Sequence, residues 1–183
     1  MYSKFLHFSG SKPRSIIAKL VLAPFFILYK IGLLPSTNMR RLASYTAFVG
    51  RRIDELNVLG KRYADEVIPQ FIREEARNKL DWHVKYGDKV VIVSASLDIY
   101  LRFWCAQQGF DLLCSEMEVR GDRYTGFYLH GDCTGANKAK FVLGKYDLSD
   151  YQRVYAYGDT KEDMEMLKLA DEAYLEWQSH TSI

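Results

Sequence analysis

Cysteine is scarce in this sequence, and what there is does not pair. Cys105, Cys114 and Cys133 are odd in number and show no C-x-x-C spacing. A disulfide framework is therefore not the expectation. The simplest reading is a reduced, cytoplasmic compartment with Cys105 and Cys114 as buried apolar residues. No charge sign dominates either. The formal net charge is +2, with Lys and Arg scattered rather than striped. Together with the lack of an aromatic-basic recognition motif, this leaves no electrostatic case for a nucleic-acid partner. Long hydrophobic runs are missing too. The longest uncharged apolar run, Leu20 to Tyr29, is ten residues, too short to span about 30 Å of hydrocarbon as a helix. No small-residue cleavage site comes after it, which argues against a signal peptide. Internal repeats and low-complexity tracts are absent. The remainder is ordinary for a globular protein: 183 residues, 48% apolar and 26% charged. That suffices for one core, or for a core domain with a small accessory one.

The chain reads in two styles. Residues 1–10 form a short helix stopped by Gly10. Residues 16–34 are strongly apolar but interrupted by Lys19, Pro24 and Lys30. Two readings stay open for them: a buried helical hairpin bent at Pro24, or a surface lying on a membrane with its lysines at the headgroups. Helical spacing continues through Met39–Phe48, then through Ile53 to Phe71 with a break at Pro69, and through Glu74–Tyr86. His83 reads as a helix-surface or packing residue, since no acid or cysteine is spaced to join it. Beyond this point strands and helices alternate. A boundary near residue 75 therefore divides a helical part, 1–75, from an α/β part, 76–183.

In the second part Lys89–Val93 is a β-branched run, the signature of a strand buried on both faces. It ends in Ser94-Ala95-Ser96, and a helix from Leu97 to Gln108 comes next. Asp111–Cys114 reads as a second parallel strand, Glu116–Tyr128 as a β-hairpin and Ala136–Leu143 as a helix carrying Lys138. Ala173–Trp177 closes the sheet.

The most informative stretch is Val154 to Leu167. A short strand turns at Gly158, so Asp159 stands at a strand's carboxyl end, where open α/β sheets bind ligands. Asp163 lies four residues on, one helical turn, so both carboxylates can face one spot. Two acids there suit a hard cation such as Mg²⁺. A turn aspartate leading into a solvated helix face explains the pattern equally well when it is taken alone. Ser94, between a strand and a helix, can offer its hydroxyl and neighbouring backbone N–H groups to an anion, or simply cap the helix. Lys138 can neutralise a phosphate as a point charge, or be an ordinary solvated lysine. Together the three features describe phosphoryl chemistry.

Val91-Ile92-Val93-Ser94-Ala95-Ser96, Gly135-Ala136-Asn137-Lys138 and Gly158-Asp159-Thr160-Lys161-Glu162-Asp163 resemble motifs two, three and four of the haloacid dehalogenase superfamily. Order and spacing match, as does the helical segment before the first of them. The chain looks like subfamily IB, the phosphoserine-phosphatase-like branch, and is similar to its phosphatidylglycerophosphatase-type members. The resemblance implies an α/β, Rossmann-like parallel sheet with a helical cap near the N-terminus and a β-hairpin extension. It implies Mg²⁺-dependent hydrolysis of a phosphate monoester through an aspartyl-phosphate. Ser94 and Ala95 would bind phosphoryl oxygens, Lys138 would steady nucleophile and phosphate, and Asp159 and Asp163 would hold Mg²⁺.

The family's nucleophile lies in a D-x-D-G-T motif on a first, central strand, and no D-x-D precedes Ser94 here. Asp54, Asp65 and Asp81 fall in helical segments and Asp88 in a turn. The opening Met1-Tyr2-Ser3-Lys4-Phe5-Leu6 resembles the residues immediately after that motif. The expectation is thus a truncated phosphatase whose first core strand is missing, which leaves buried ladder groups unpaired at about 1–3 kcal/mol each. The alternative is a catalytically inactive, phosphatase-like binding protein. For substrate, the apolar residues 20–28 favour a lipid-linked phosphate, with peripheral membrane contact through residues 16–34 at the inner face. A small soluble metabolite such as a phosphoamino acid is the rival.

Overall fold

The computed structural model describes residues 1–10 and 12–179. The chain divides into two compact units, one of Met1–Ile72, Ser96–Phe110 and Ser115–Asp132, the other of Arg73–Ala95, Asp111–Cys114 and Cys133–Ile183. The first unit therefore takes in the helix after residue 95 and the hairpin as well as the N-terminal helices.

In the first unit α1 (Tyr2–Ser9), α2 (Lys12–Lys30), α3 (Ser36–Phe48), α4 (Ile53–Glu66) and α6 (Asp98–Gln108) pack with a hairpin, β3 (Met117–Arg120) and β4 (Arg123–Tyr128). A 3₁₀ turn, Ile68–Phe71, succeeds α4 where Pro69 cannot continue it. The core is aromatic. The Phe5 ring centroid lies 4.5 Å from that of Tyr100 and 5.1 Å from that of Tyr63. Phe5, Phe48, Leu56, Tyr63 and Tyr100 are each 0% exposed. Helices α4 and α6 meet backbone to backbone at Gly60, where an added Cβ would lie 2.0 Å from the Ile99 carbonyl oxygen. Only glycine fits that crossing.

The expected hairpin over residues 16–34 does not form. One helix runs from Lys12 to Lys30 with Pro24 inside it, and the chain turns only afterwards, the Leu33 and Leu34 N–H groups bonding to the Leu28 carbonyl. A long helix absorbs the single N–H that proline lacks.

In the second unit α5 (Glu74–Tyr86) ends at Gly87, which adopts the left-handed conformation at φ 75° and closes the helix onto His83 and Val84. Two separate sheets come next. One joins β1 (Val91–Leu97) to β2 (Asp111–Ser115). The other has the order β5 (Tyr155–Gly158), β6 (Glu172–Leu175), β7 (Gln178–Ser179). β5 and β6 are parallel with Tyr157 opposite Tyr174, whereas β6 and β7 are antiparallel. α7 (Ala136–Lys145) contacts the short α8 (Met164–Leu167), which also contacts β5 and β6.

The expected burial of β1 on both faces is not observed: Val91 to Ser96, like all of β5, are only half-buried. The reason lies in the pairing. Among the described residues β1 has only β2, and β5 only β6, as ladder partner. A strand with one neighbour keeps an edge open.

The closing strand also ends sooner than expected, at Leu175. Glu176 and Trp177, at φ 50° and 67°, form the two-residue loop between β6 and β7. Left-handed backbone costs a non-glycine residue about 1–2 kcal/mol, so the hairpin holds Trp177 in place against a local preference.

Candidate active site

β5 delivers Gly158 and then Asp159 at its carboxyl end. The chain then turns tightly enough that a Cβ on Gly158 would lie 2.6 Å from the Asp163 Cβ. Glycine is required there because the Asp163 carboxylate folds back over the strand end. Its Oδ2 accepts from the Asp159 N–H (3.1 Å), the Thr160 N–H (3.0 Å) and the Thr160 hydroxyl (3.1 Å). Thr160 and Asp163 form a reciprocal capping box around the 3₁₀ turn Lys161–Asp163. Asp163 therefore shapes the loop that presents Asp159.

Lys138 reaches the same carboxylate from another element. Gly135, at φ 51° and ψ −130°, precedes α7 and places Lys138 in its first turn. The Lys138 Nζ donates to Asp163 Oδ1. The pair is withdrawn from water, with side-chain exposures of 11% and 4%. Burial by itself raises the Asp163 pKa. The bonded Lys138 ammonium and the Thr160 and Asp159 N–H groups outweigh that and hold it below the usual carboxylate value. Asp159 is by contrast exposed, and its carboxylate lies 3.5 Å from Arg73, the residue before α5. Both side chains of that ion pair are 58% exposed, so it adds little stability. Nothing in the local pattern around Arg73 singles it out.

Ser94 and Ala95 lie inside β1, which continues to Leu97, and Leu97 is the N-cap of α6. Ser94 is thus not a helix cap, and no helix N-terminus adjoins it. The structure brings Lys138, on α7, to the loop that carries Asp159 and Asp163 at the end of β5.

His83 departs from expectation. It is buried, with Nδ1 2.8 Å from Asp88 Oδ2 and Nε2 3.0 Å from the Tyr157 hydroxyl. A carboxylate only accepts, so Nδ1 donates to Asp88, and Nε2 shares its bond with the Tyr157 hydroxyl. Burial pushes the Tyr157 hydroxyl up to about 12. The acid that joins His83 lies across the helix cap, where helical spacing does not look.

Among the described residues no group of three or more His, Cys, Asp or Glu converges as a metal cage. The donor chemistry still suits Mg²⁺, which is held through one or two carboxylates and completes its shell with water and phosphate oxygens. Asp159 offers exposed carboxylate oxygens, and Asp163 fixes the loop beneath them.

Residues 2–168 match the family model of haloacid dehalogenase-like hydrolases. A histidinol-phosphatase of Neisseria meningitidis serogroup C (strain 8013) is 26% identical over 127 residues, covering 65% of this chain and 57% of that protein. The chain thus spans little more than half the length of that relative. Among solved structures, a protein of unknown function from Bordetella pertussis Tohama I superposes with a TM-score of 0.78 at 20% identity, covering 93% of this chain and 79% of that one. A probable phosphoserine phosphatase from Vibrio cholerae gives 0.66 at 18% identity, over 88% and 49%. At these identities the structural likeness establishes the fold, an α/β Rossmann-like architecture.

Proposed function

Because this chain belongs to the haloacid dehalogenase-like hydrolase family, we propose that its second unit carries part of the site of an Mg²⁺-dependent phosphate monoester hydrolase. The observation that carries this reading is the buried Lys138–Asp163 pair beneath an exposed Asp159 at a strand's carboxyl end. A structural ion pair alone would not need a carboxylate held in the open beside it. Asp159 supplies oxygens to Mg²⁺, and Asp163 orders the loop and completes the acidic site. Lys138 places a fixed positive charge where phosphoryl oxygens gather, and Ser94 with the Ala95 N–H adds donors on β1. Bound Mg²⁺ would neutralise charge on the phosphoryl group. The phosphatase names of the relatives, for histidinol phosphate and phosphoserine, fit a phosphorylated small molecule.

No D-x-D occurs before Ser94. The 183-residue chain therefore binds Mg²⁺ and phosphate without turning over an aspartyl-phosphate, as a phosphatase-like binding protein would. Calorimetry with Mg²⁺ and inorganic phosphate tests the binding half: Asp159→Asn should abolish the Mg²⁺ heat. An aryl phosphate with Mg²⁺ tests the other half. Hydrolysis by the chain that disappears in Asp159→Asn would reveal a nucleophile outside any D-x-D motif.

One observation extends the reading to a lipid-linked phosphate. Leu20, Val21, Phe26 and Ile27 on α2, with Ile31 and Leu33 just beyond, are between 47% and 72% exposed. No described helix is long and apolar enough to cross a membrane, but such a patch suits contact with one. Flotation on anionic vesicles tests this: the parent should rise with the lipid, and Phe26→Asp/Ile27→Asp should not. A parent that stays below the vesicles leaves the soluble-metabolite reading.

A further inference from the structure

In the second unit a cleft of about 410 Å³ lies over the face of β5 and β6 that α5 covers. It plays no part in the chemistry proposed above. Four of its walls are aromatic. Tyr157 and Tyr174 stack at 5.0 Å and 10°, Trp177 leans on Tyr157 at 6.0 Å, and Trp82 stands opposite on α5. Lys79 and Glu75 stand at the α5 side.

Three features show what such a cleft accepts. First, Trp177 sits in the two-residue turn of the β6–β7 hairpin, and that turn holds its ring against Tyr157. Second, the Trp177 indole lines the cleft with its ring, its Nε1 being closed off from water, so this wall offers an apolar aromatic surface. Third, the Lys79 ammonium lies over two of the rings, 5.8 Å from Trp82 and 5.4 Å from Tyr174. No carboxylate of the described residues comes within ion-pair distance of it. The place a cationic ligand would take in an aromatic cage is already occupied by this side chain. The hydroxyl of Tyr157 is committed to His83, so that ring is a fixed wall.

We infer that this cleft binds a flat, negatively charged organic molecule of the aromatic carboxylate class. Its ring system lies against the aromatic walls and its oxygens face the Lys79 ammonium. Glu75 is the one lining group that opposes an anion. The inference does not depend on the phosphatase reading, because it concerns binding at residues outside the Lys138–Asp159–Asp163 group.

Calorimetry of the full chain with 2-naphthoate and with its uncharged methyl ester is the test. Naphthoate should saturate one site at about 1 mM or tighter, the level a ligand of that size commonly reaches. The ester should bind at least about tenfold more weakly, as expected for loss of a charge-assisted hydrogen bond. Lys79→Met, at an exposed position, should match that loss, while Glu75→Gln should tighten binding about two- to threefold. Trp177→Leu removes one aromatic wall and should cost about fivefold. The indole N–H resonance of Trp177 should shift on titration, which locates the ligand. Should Trp177→Leu fold poorly by circular dichroism, Lys79→Met and the ester still decide. No saturation up to about 10 mM, well above the expected range, overturns the inference. So does equal binding of acid and ester, or parent-like binding by Lys79→Met.

Discussion

The largest fully buried side chains of the first unit are Tyr63, Tyr100, Phe5, Phe48 and Leu56, whereas the buried side chains of the second include Cys133, Asp163, His83 and Lys138. Ring packing, itself indifferent to pH, builds the first unit's aromatic core, although that unit also buries the Asp132 carboxylate and most of Asp98. The other is anchored by a buried ion pair and by the Asp88–His83–Tyr157 chain of hydrogen bonds. Its strands are only half-buried, so its order rests more on polar contacts of fixed geometry. Such contacts hold reacting groups in place, and they fail when a single partner is removed. The contrast explains why the candidate chemistry sits where the apolar core is thin.

Two substitutions test the contrast with effects of similar size and opposite character. Lys138→Met leaves Asp163 buried without its cation and should cost about 3–5 kcal/mol. Hydrogen exchange should show the loss around β5 and α7, and the cost should shrink in acid as Asp163 becomes protonated. Phe5→Ala opens a cavity among the three rings of Phe48, Tyr63 and Tyr100 and should also cost about 3–5 kcal/mol. That loss should appear in α1, α4 and α6, with no dependence on pH. Equal pH behaviour of the two variants would dissolve the distinction.

The units should also differ in how acid affects them. Burial pushes the Asp98 carboxyl of the first unit up to about 6, although the Met117 N–H and Arg102 pull the other way. A raised carboxyl favours the folded state below its unfolded value near 4, and that advantage is lost as pH rises toward 6. Asp98→Asn should flatten this slope, whose span is about 3 kcal/mol. Asp163, held low, behaves in reverse: its contribution is present above the unfolded value near 4 and falls away as the pH drops through its folded value. Urea midpoints measured from pH 3 to 7, with exchange reporting each unit, should show the two trends.

The smallest effect sharpens the comparison at one atom. Gly158→Ala places a methyl group 2.6 Å from the Asp163 Cβ. The displaced loop should cost about 1–3 kcal/mol. It should also weaken Mg²⁺ binding, with little change in the first unit.

Local features were legible in the chain wherever neighbours in sequence are neighbours in space. Helix α5 appears over Glu74–Tyr86 as its periodicity predicts, because Gly87 supplies the left-handed cap that stops it. The β3–β4 hairpin arises from the alternation around Gly121-Asp122. The Gly-Asp-x-x-x-Asp pattern placed Asp159 at the end of a strand because strand, turn and acid are consecutive. Pro24 misled, since the sequence shows the missing N–H but not how much helix lies on either side.

The pattern of residues by itself determined which segments coil or extend and which loop carries the acids, because propensity and periodicity act within a few residues. Only the tertiary structure decided that Asp163 binds Lys138, 25 positions away in the chain, while Asp159 stays open to solvent. It likewise decided that β1 is half-buried rather than enclosed, that His83 has an acid partner, and that Trp177 stands over Tyr157 at a left-handed turn. Periodicity records that a side chain faces inward. Which element covers it, and whether a donor or a ring waits there, depends on how distant segments pack.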